Sequence, residues 1–386
     1  MKKLLIPFVA LAALLLATSC GKDSEGEKPA PQPASGEGVY SPAKKIASIY
    51  VDEQLDEQWT WVNNLLQHIK TPDEDGNMTI SSEFEYDNAS RFSYVSLQED
   101  LVGATVTLVF EYSGSQLTSI ELTAPGLDIL SADITHGNGN KVTHADISIN
   151  NAVLQLLAQL LMSGMMPTPD ESPIVAVLTD VLTPQVLNTI LRSVSTYTSD
   201  AKLTVDNAHF TIDFAWNGNN VNRTLIAGTV AGSVTGGELA SILEALSNLG
   251  LAADLGAIGT LIGTLASDMV IPISLDIHDT VDLTYDSQHN PFTGFLGRLD
   301  PSVLSANNPL TSTNHGGVIA TLTINLPIIG GDRSFPFQLP TSVSTFEYTY
   351  TSDGYPETVV TTTESTSTNT EDEEDDGPTT TRYQYQ

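Results

Sequence analysis

Apolar and polar residues alternate with a period of two along much of this chain, which places every second side chain on one face of a strand. Ile80, Ser82, Phe84 and Tyr86 alternate with Thr79, Ser81, Glu83 and Glu85. Val318, Ala320, Leu322, Ile324 and Leu326 alternate with a mostly polar set. Further on, Ile273, Leu275, Ile277, Val281, Leu283 and Tyr285 share one face, and Ser274, Asp276, His278, Thr280, Asp282 and Thr284 share the other. Strands with one wet face predict an antiparallel sheet.

A longer pattern overlies the alternation. Trp59-Thr60-Trp61 is followed by the polar pair Asn63-Asn64 and by Leu66 and Ile69, seven and ten positions after Trp59. Phe110-Glu111-Tyr112 has the same spacing to Leu117 and Ile120, and Phe214-Ala215-Trp216 begins the same way before Val221. Phe84-Glu85-Tyr86 and Phe346-Glu347-Tyr348 repeat the triplet with longer turns. Aromatics are only 7% of the chain, so five copies are not an accident of composition. Each copy reads as a strand ending in an aromatic pair, an Asn/Gly/Ser turn, and a return strand whose aliphatics pack beside the pair. The chain is a β-meander built of hairpin repeats.

Two segments depart from this pattern. One, near 151–197, carries Leu154, Leu156, Leu157, Leu160, Leu161, Met162, Met165 and Met166; the other, near 238–267, is rich in Ala, Leu and Ile and cut by glycines. Both predict helices, too interrupted to span a bilayer. The fold class is therefore mainly β with helical insertions: a large curled or barrel-like antiparallel meander with apolar helices packed on or in it. The helices fill the core, or Met162, Met165 and Met166 line a cavity for an apolar ligand.

The N-terminus adds a destination. Met1-Lys2-Lys3 and the uncharged run Leu4–Leu16 form a secretory signal peptide, and Leu16-Ala17-Thr18-Ser19-Cys20 resembles a bacterial lipobox, with Ala17 where the common pattern has Leu. The resemblance implies cleavage after residue 19 and acylation of Cys20, the single cysteine. Gly21-Lys22-Asp23-Ser24-Glu25-Gly26-Glu27 resembles the export signal of surface lipoproteins of the Bacteroidota; the bland alternative is the start of a solvated linker. The proline-bearing stretch 20–41 reads as a flexible tether. Residues 42–386 read as one β domain. Near 364–378 the acids Glu371–Asp376 sit on a last hairpin tip or on a tail.

Fifteen Lys+Arg stand against 47 Asp+Glu, a formal charge of −32. Cleavage removes Lys2 and Lys3 and makes it −34. That balance excludes nucleic acid as a partner, and membrane attachment must come from the acylated N-terminus.

The Trp-x-Trp hairpin, the Phe-Glu-Tyr hairpins, the segment Leu283–Phe292 and Tyr348-Thr349-Tyr350-Thr351-Ser352-Asp353-Gly354-Tyr355-Pro356 resemble a family of Bacteroidota lipoproteins classed as a domain of unknown function with a porin-like fold. The likeness covers about 45–125 and 280–386. It implies a curled or barrel-like sheet on a lipid anchor and transfers no catalytic residues.

Motifs for chemistry are missing: there is no Gly-x-Ser-x-Gly elbow and no His-Glu-x-x-His. His278, with Asp276 and Asp282 on the same face, offers a polar stripe before it offers a metal site. No catalytic, cofactor or metal residues are expected. The chain reads as a non-enzymatic, surface-exposed outer-membrane lipoprotein acting as a binding or envelope-structural module for a glycan, lipid or protein. Two other readings are a surface glycan-binding protein, for which Trp59, Trp61 and Trp216 are the available platforms, and an adhesin that assembles by strand addition.

Overall fold

The computed structural model describes residues 39–73, 75–99, 104–154, 204–237, 239–240, 259–260, 262–264, 267–296, 301–315, 317–326, 331–339, 341–365 and 377–386. The strands are β1 (Ile46–Val51), β2 (Gln54–Val62), β3 (Leu65–Pro72), β4 (Met78–Tyr86), β5 (Phe92–Glu99), β6 (Ala104–Ser113), β7 (Gln116–Ala124), β8 (Leu127–His136) and β9 (Val142–Ile149). They continue with β10 (Thr204–Asn217), β11 (Asn220–Thr235), β12 (Val270–Tyr285), β13 (Pro309–Asn314), β14 (Gly317–Leu326), β15 (Gly331–Leu339), β16 (Ser342–Tyr350), β17 (Pro356–Ser365) and β18 (Thr379–Tyr385).

Every pairing is antiparallel, and β1 pairs with both β2 and β18, so the meander closes into a barrel. The 18 segments make a circuit of 16 strands. Strand β12 pairs with β13 along Val281–Tyr285 and with β14 along Ile273–Ile277. Strands β13 and β14 therefore lie end to end as one interrupted strand. Strands β16 and β15 lie end to end against them in the same way.

The hairpin repeat is visible in the register. Leu66 and Ile69 are both buried, although residues three apart on a regular strand face opposite ways. A bulge reconciles them: Thr60 pairs with His68 and Trp61 with Leu66, leaving Gln67 extra on the return strand. The same slip follows Glu111 and Tyr112, where it brings Leu117 and Ile120 inside, and Glu85 and Tyr86, where it brings Phe92 and Val95 inside. The turns fit two-residue hairpins. Asn63 and Asn64 both take left-handed φ, 50° and 67°, and Gly114 and Gly218 take 64° and 59° at the first turn position.

Ile80 departs from the expected inward face and is 38% exposed. A bulge at Ser81, between the pairs Ile69–Ser82 and Lys70–Ile80, changes the phase of β4. Elsewhere alternation holds: Trp59, Phe84, Phe110, Phe210 and Phe346 are buried in one core cluster that also holds Ile271 and Ile324. The outward side is polar, with Glu83, Glu85, Glu111, Glu121, Asp133, Arg223 and His278 all exposed. A wall facing lipid carries an apolar band instead, so this wall suits water.

Helical residues occur at 151–154, 236–237, 239–240, 259–260 and 262–264, and Val153, Leu239 and Ile262 are buried in the core cluster. The remainder of the expected helical insertions, including Met162, Met165 and Met166, lies outside the described residues. Strands β17 and β18 pair as a hairpin, and Glu371–Asp376 fall in its undescribed connection.

Candidate functional site

Because the repeat has a period of two strands, all its copies reach the same rim of the barrel. There the second aromatic of four of the five pairs donates a hydrogen bond to the start of the preceding strand, and Tyr385 of the Tyr383–Tyr385 pair on β18 does the same. Trp61 Nε1 donates to the Ile46 carbonyl at 2.7 Å and Tyr86 Oη to that of Leu66 at 2.8 Å. Tyr112 Oη reaches Phe92 at 2.9 Å, Trp216 Nε1 reaches Val142 at 2.7 Å, and Tyr385 Oη reaches Pro356 at 2.7 Å. Each ring thus staples its strand end to a neighbour while its apolar body stays covered. Burial pushes the phenols of Tyr86 and Tyr385 above their ordinary range.

A cation lies over four of these rings: Lys45 over Trp61 at 5.8 Å, Arg91 over Tyr112 at 4.1 Å, Lys141 over Trp216 at 4.9 Å and Lys44 over Tyr385 at 5.2 Å. The same cations bridge turn to turn. Lys45 bonds Asn64, Arg91 bonds the Gly114 carbonyl, Lys141 bonds the Gly218 carbonyl, and Lys44 pairs with Asp353 at 2.7 Å.

The connection from β12 to β13 completes the rim by turning inward. Phe295, 1% exposed, meets Tyr40, Trp59, Phe84 and Phe92 at centroid distances of 4.9 to 6.1 Å. Phe292 meets Trp59 and Tyr383 edge-on. Asn290 holds the loop together by donating to the carbonyls of Ser302 and Ser305. Asp286 accepts hydrogen bonds from Tyr350, from Gln288, and from the backbone and side chain of Asn308. Burial nevertheless raises its carboxyl above the ordinary range. This loop plugs the rim, and Tyr40, which precedes β1, is locked into the plug by donating to the Pro291 carbonyl at 2.8 Å. The chain therefore enters the barrel at the plugged end.

A small cavity of about 10 Å³, room for one water, remains between the plug and Tyr348 and Tyr383. Inward positions nearby are polar as well as aromatic: Ser312, Asn314, Ser342, Ser344, Thr361, Thr379 and Thr381 are buried, and both oxygens of buried Asp279 accept from Asn314. Sequence reasoning passed over this polar inner stripe, because Ser and Thr at period two read as an outer face.

Of the residues singled out from sequence, Trp59 is 3% exposed, and Trp61 and Trp216 are part-buried with their ring N–H groups committed to backbone, so none of the three stands as a free platform. His278, Asp276 and Asp282 are not gathered into a site. Asp276 accepts from Thr229, while Asp282 lies between Arg223 and His315, 2.7 Å from the latter. The hydrogen bonds from Arg223 hold the Asp282 carboxyl down at about 2. Among the described residues no group of three or more His, Cys, Asp or Glu is placed to hold a metal ion. Cys20 lies outside the described residues.

No family model and no curated protein matches the chain. Among solved structures, a porin-like protein from Bacteroides uniformis aligns with a TM-score of 0.34 and 10% identity, covering 91% of this chain and 100% of that one. A likeness at that level is silent about activity.

Proposed function

We propose that this protein is a lipid-anchored outer-membrane protein, acylated at Cys20, whose barrel stands in water at the cell surface and serves as a non-enzymatic binding or envelope-structural module. The observation that carries this reading is the union of a lipobox-like N-terminus with a barrel whose outer wall is polar and charged. A wall of that chemistry belongs in water and leaves membrane attachment to the acyl chains, which stabilise binding by about 0.8 kcal/mol per buried methylene. The closed β1–β18 seam supports a self-contained module over an adhesin, since it leaves neither terminal strand as a free edge.

Palmitate labelling of wild type and Cys20→Ala tests the anchor: label is expected in the former and absent from the latter, and equal label in both overturns it. Protease treatment of intact cells tests display. Cleavage in the tether is expected, and full protection would move the protein to an inward-facing position.

A further inference from the structure

We infer that the plugged rim is a seat for the membrane surface, with lipid headgroup phosphates as the partner of its cations, so that the barrel stands with its opposite mouth away from the bilayer. The inference rests on the acylated anchor proposed above and adds an orientation to it.

Two independent observations carry it. The first is where the chain enters. Tyr40 is fixed in the plug and β1 starts at Ile46, so the tether leading to Cys20 leaves from this rim. A tether of about twenty residues reaches at most some 70 Å, which permits contact without imposing it.

The second observation is the charge asymmetry between the two ends. Lys44, Lys45, Arg91 and Lys141 all stand at the rim. Lys44 and Arg91 have carboxylate partners, Asp353 and Asp87, whereas Lys45 and Lys141 are bonded to an amide oxygen and a backbone carbonyl and have no carboxylate partner among the described residues. Among the described residues the opposite turns carry Asp52, Glu53, Asp73 and Asp75, of which only Glu53 has a cationic partner, Arg382 at 3.4 Å. A chain so acidic overall is repelled by anionic lipid, and the repulsion is weakest when the rim leads and the acidic end trails. Lysines lying over aromatic rings suit such a boundary, where an apolar body meets a charged head.

The chain's own chemistry makes the test clean. Acylation consumes the single cysteine, so an introduced cysteine is the only free thiol. Full-length acylated protein carrying Ser115→Cys at the rim or Asp75→Cys at the opposite end is labelled with a fluorophore. It is then reconstituted on vesicles of mixed neutral and anionic phospholipid bearing a headgroup quencher. Quenching at position 115 is expected to exceed that at position 75 by about twofold or more, and Lys45→Glu with Lys141→Glu is expected to remove the difference. Thermal melting of the double variant checks that the barrel is still folded, and raised salt, which should also shrink the difference, gives a readout without mutation. Equal quenching at both positions, or stronger quenching at position 75, overturns the seat. Failure of the protein to remain with vesicles overturns the anchor instead, so the two failures are distinguishable.

Discussion

The two ends of the barrel are made by different rules. At the plugged rim most connections are short, the same aromatic–turn–aliphatic unit recurs, and five strand ends are stapled to the preceding strand by a ring hydrogen bond, four of them with a cation over the ring. At the opposite end, short turns such as Asp52–Glu53 and Pro125–Gly126 alternate with connections that leave the strands for long stretches, between β9 and β10 and between β11 and β12. A two-strand repeat in sequence necessarily decorates one end of a meander and leaves the other free to vary. That freedom is where insertions are tolerated.

The largest expected break in this contrast is Phe295→Ala. Removing a fully buried ring that touches four others should cost about 3–5 kcal/mol in denaturant unfolding, whereas Asp75→Ala in the opposite turns should stay within about 0.5 kcal/mol. A comparable loss for both would mean the rim is no special store of stability. Midway between the ends, Gly228→Ala should cost about 1–3 kcal/mol, because the new Cβ would lie 2.1 Å from a Phe210 ring carbon and 2.8 Å from the His209 carbonyl oxygen. An unchanged melting temperature would refute that close approach.

Tyr112→Phe keeps the ring under Arg91 and deletes only the bond to the Phe92 carbonyl, so a loss of about 1 kcal/mol should follow. Hydrogen exchange at the start of β5 should rise with it. Two carboxylates at the rim end of β12 predict opposite pH slopes. The raised Asp286 lends stability that is complete below the ordinary carboxylate range and fades as pH rises through its elevated value. The lowered Asp282 lends stability that is present above that range and lost as pH falls through about 2. In a series of melts through the carboxylate range, Asp286→Asn should flatten the first slope and Arg223→Gln the second; unchanged slopes would refute either assignment. The smallest effect belongs to the opposite end. Glu53 sits at φ 66°, so Glu53→Gly should gain about 0.5 kcal/mol in unfolding free energy, and a loss would refute the strain.

The hairpins were legible because their signals are local: an aromatic pair, a turn that admits left-handed residues, and aliphatics spaced by a bulge. Even the odd spacing from Leu66 to Ile69 is the trace of an extra residue, Gln67, that no simple alternation would place. Closure was not legible, because it depends on Ile46 meeting Tyr385 and no short-range pattern encodes that partner. The plug hid for the same reason. Phe292 and Phe295 stand in an irregular loop, and only tertiary structure reveals that four other strands and Tyr40 are waiting for them. The inner polar stripe misled by composition: Ser344 and Thr361 look solvated until the ring turns them inward.

The seam between the first and last strands also sets an order of events. Strand β1 emerges early from synthesis, yet one of its two neighbours, β18, is the last of the described strands to arrive. Such a pairing has the greatest loop-closure cost in the chain and belongs late in folding. Until Thr379–Tyr385 is delivered, β1 and β17 are both open edges, and a chain cut short before that point would be an assembly-prone sheet in place of a sealed barrel.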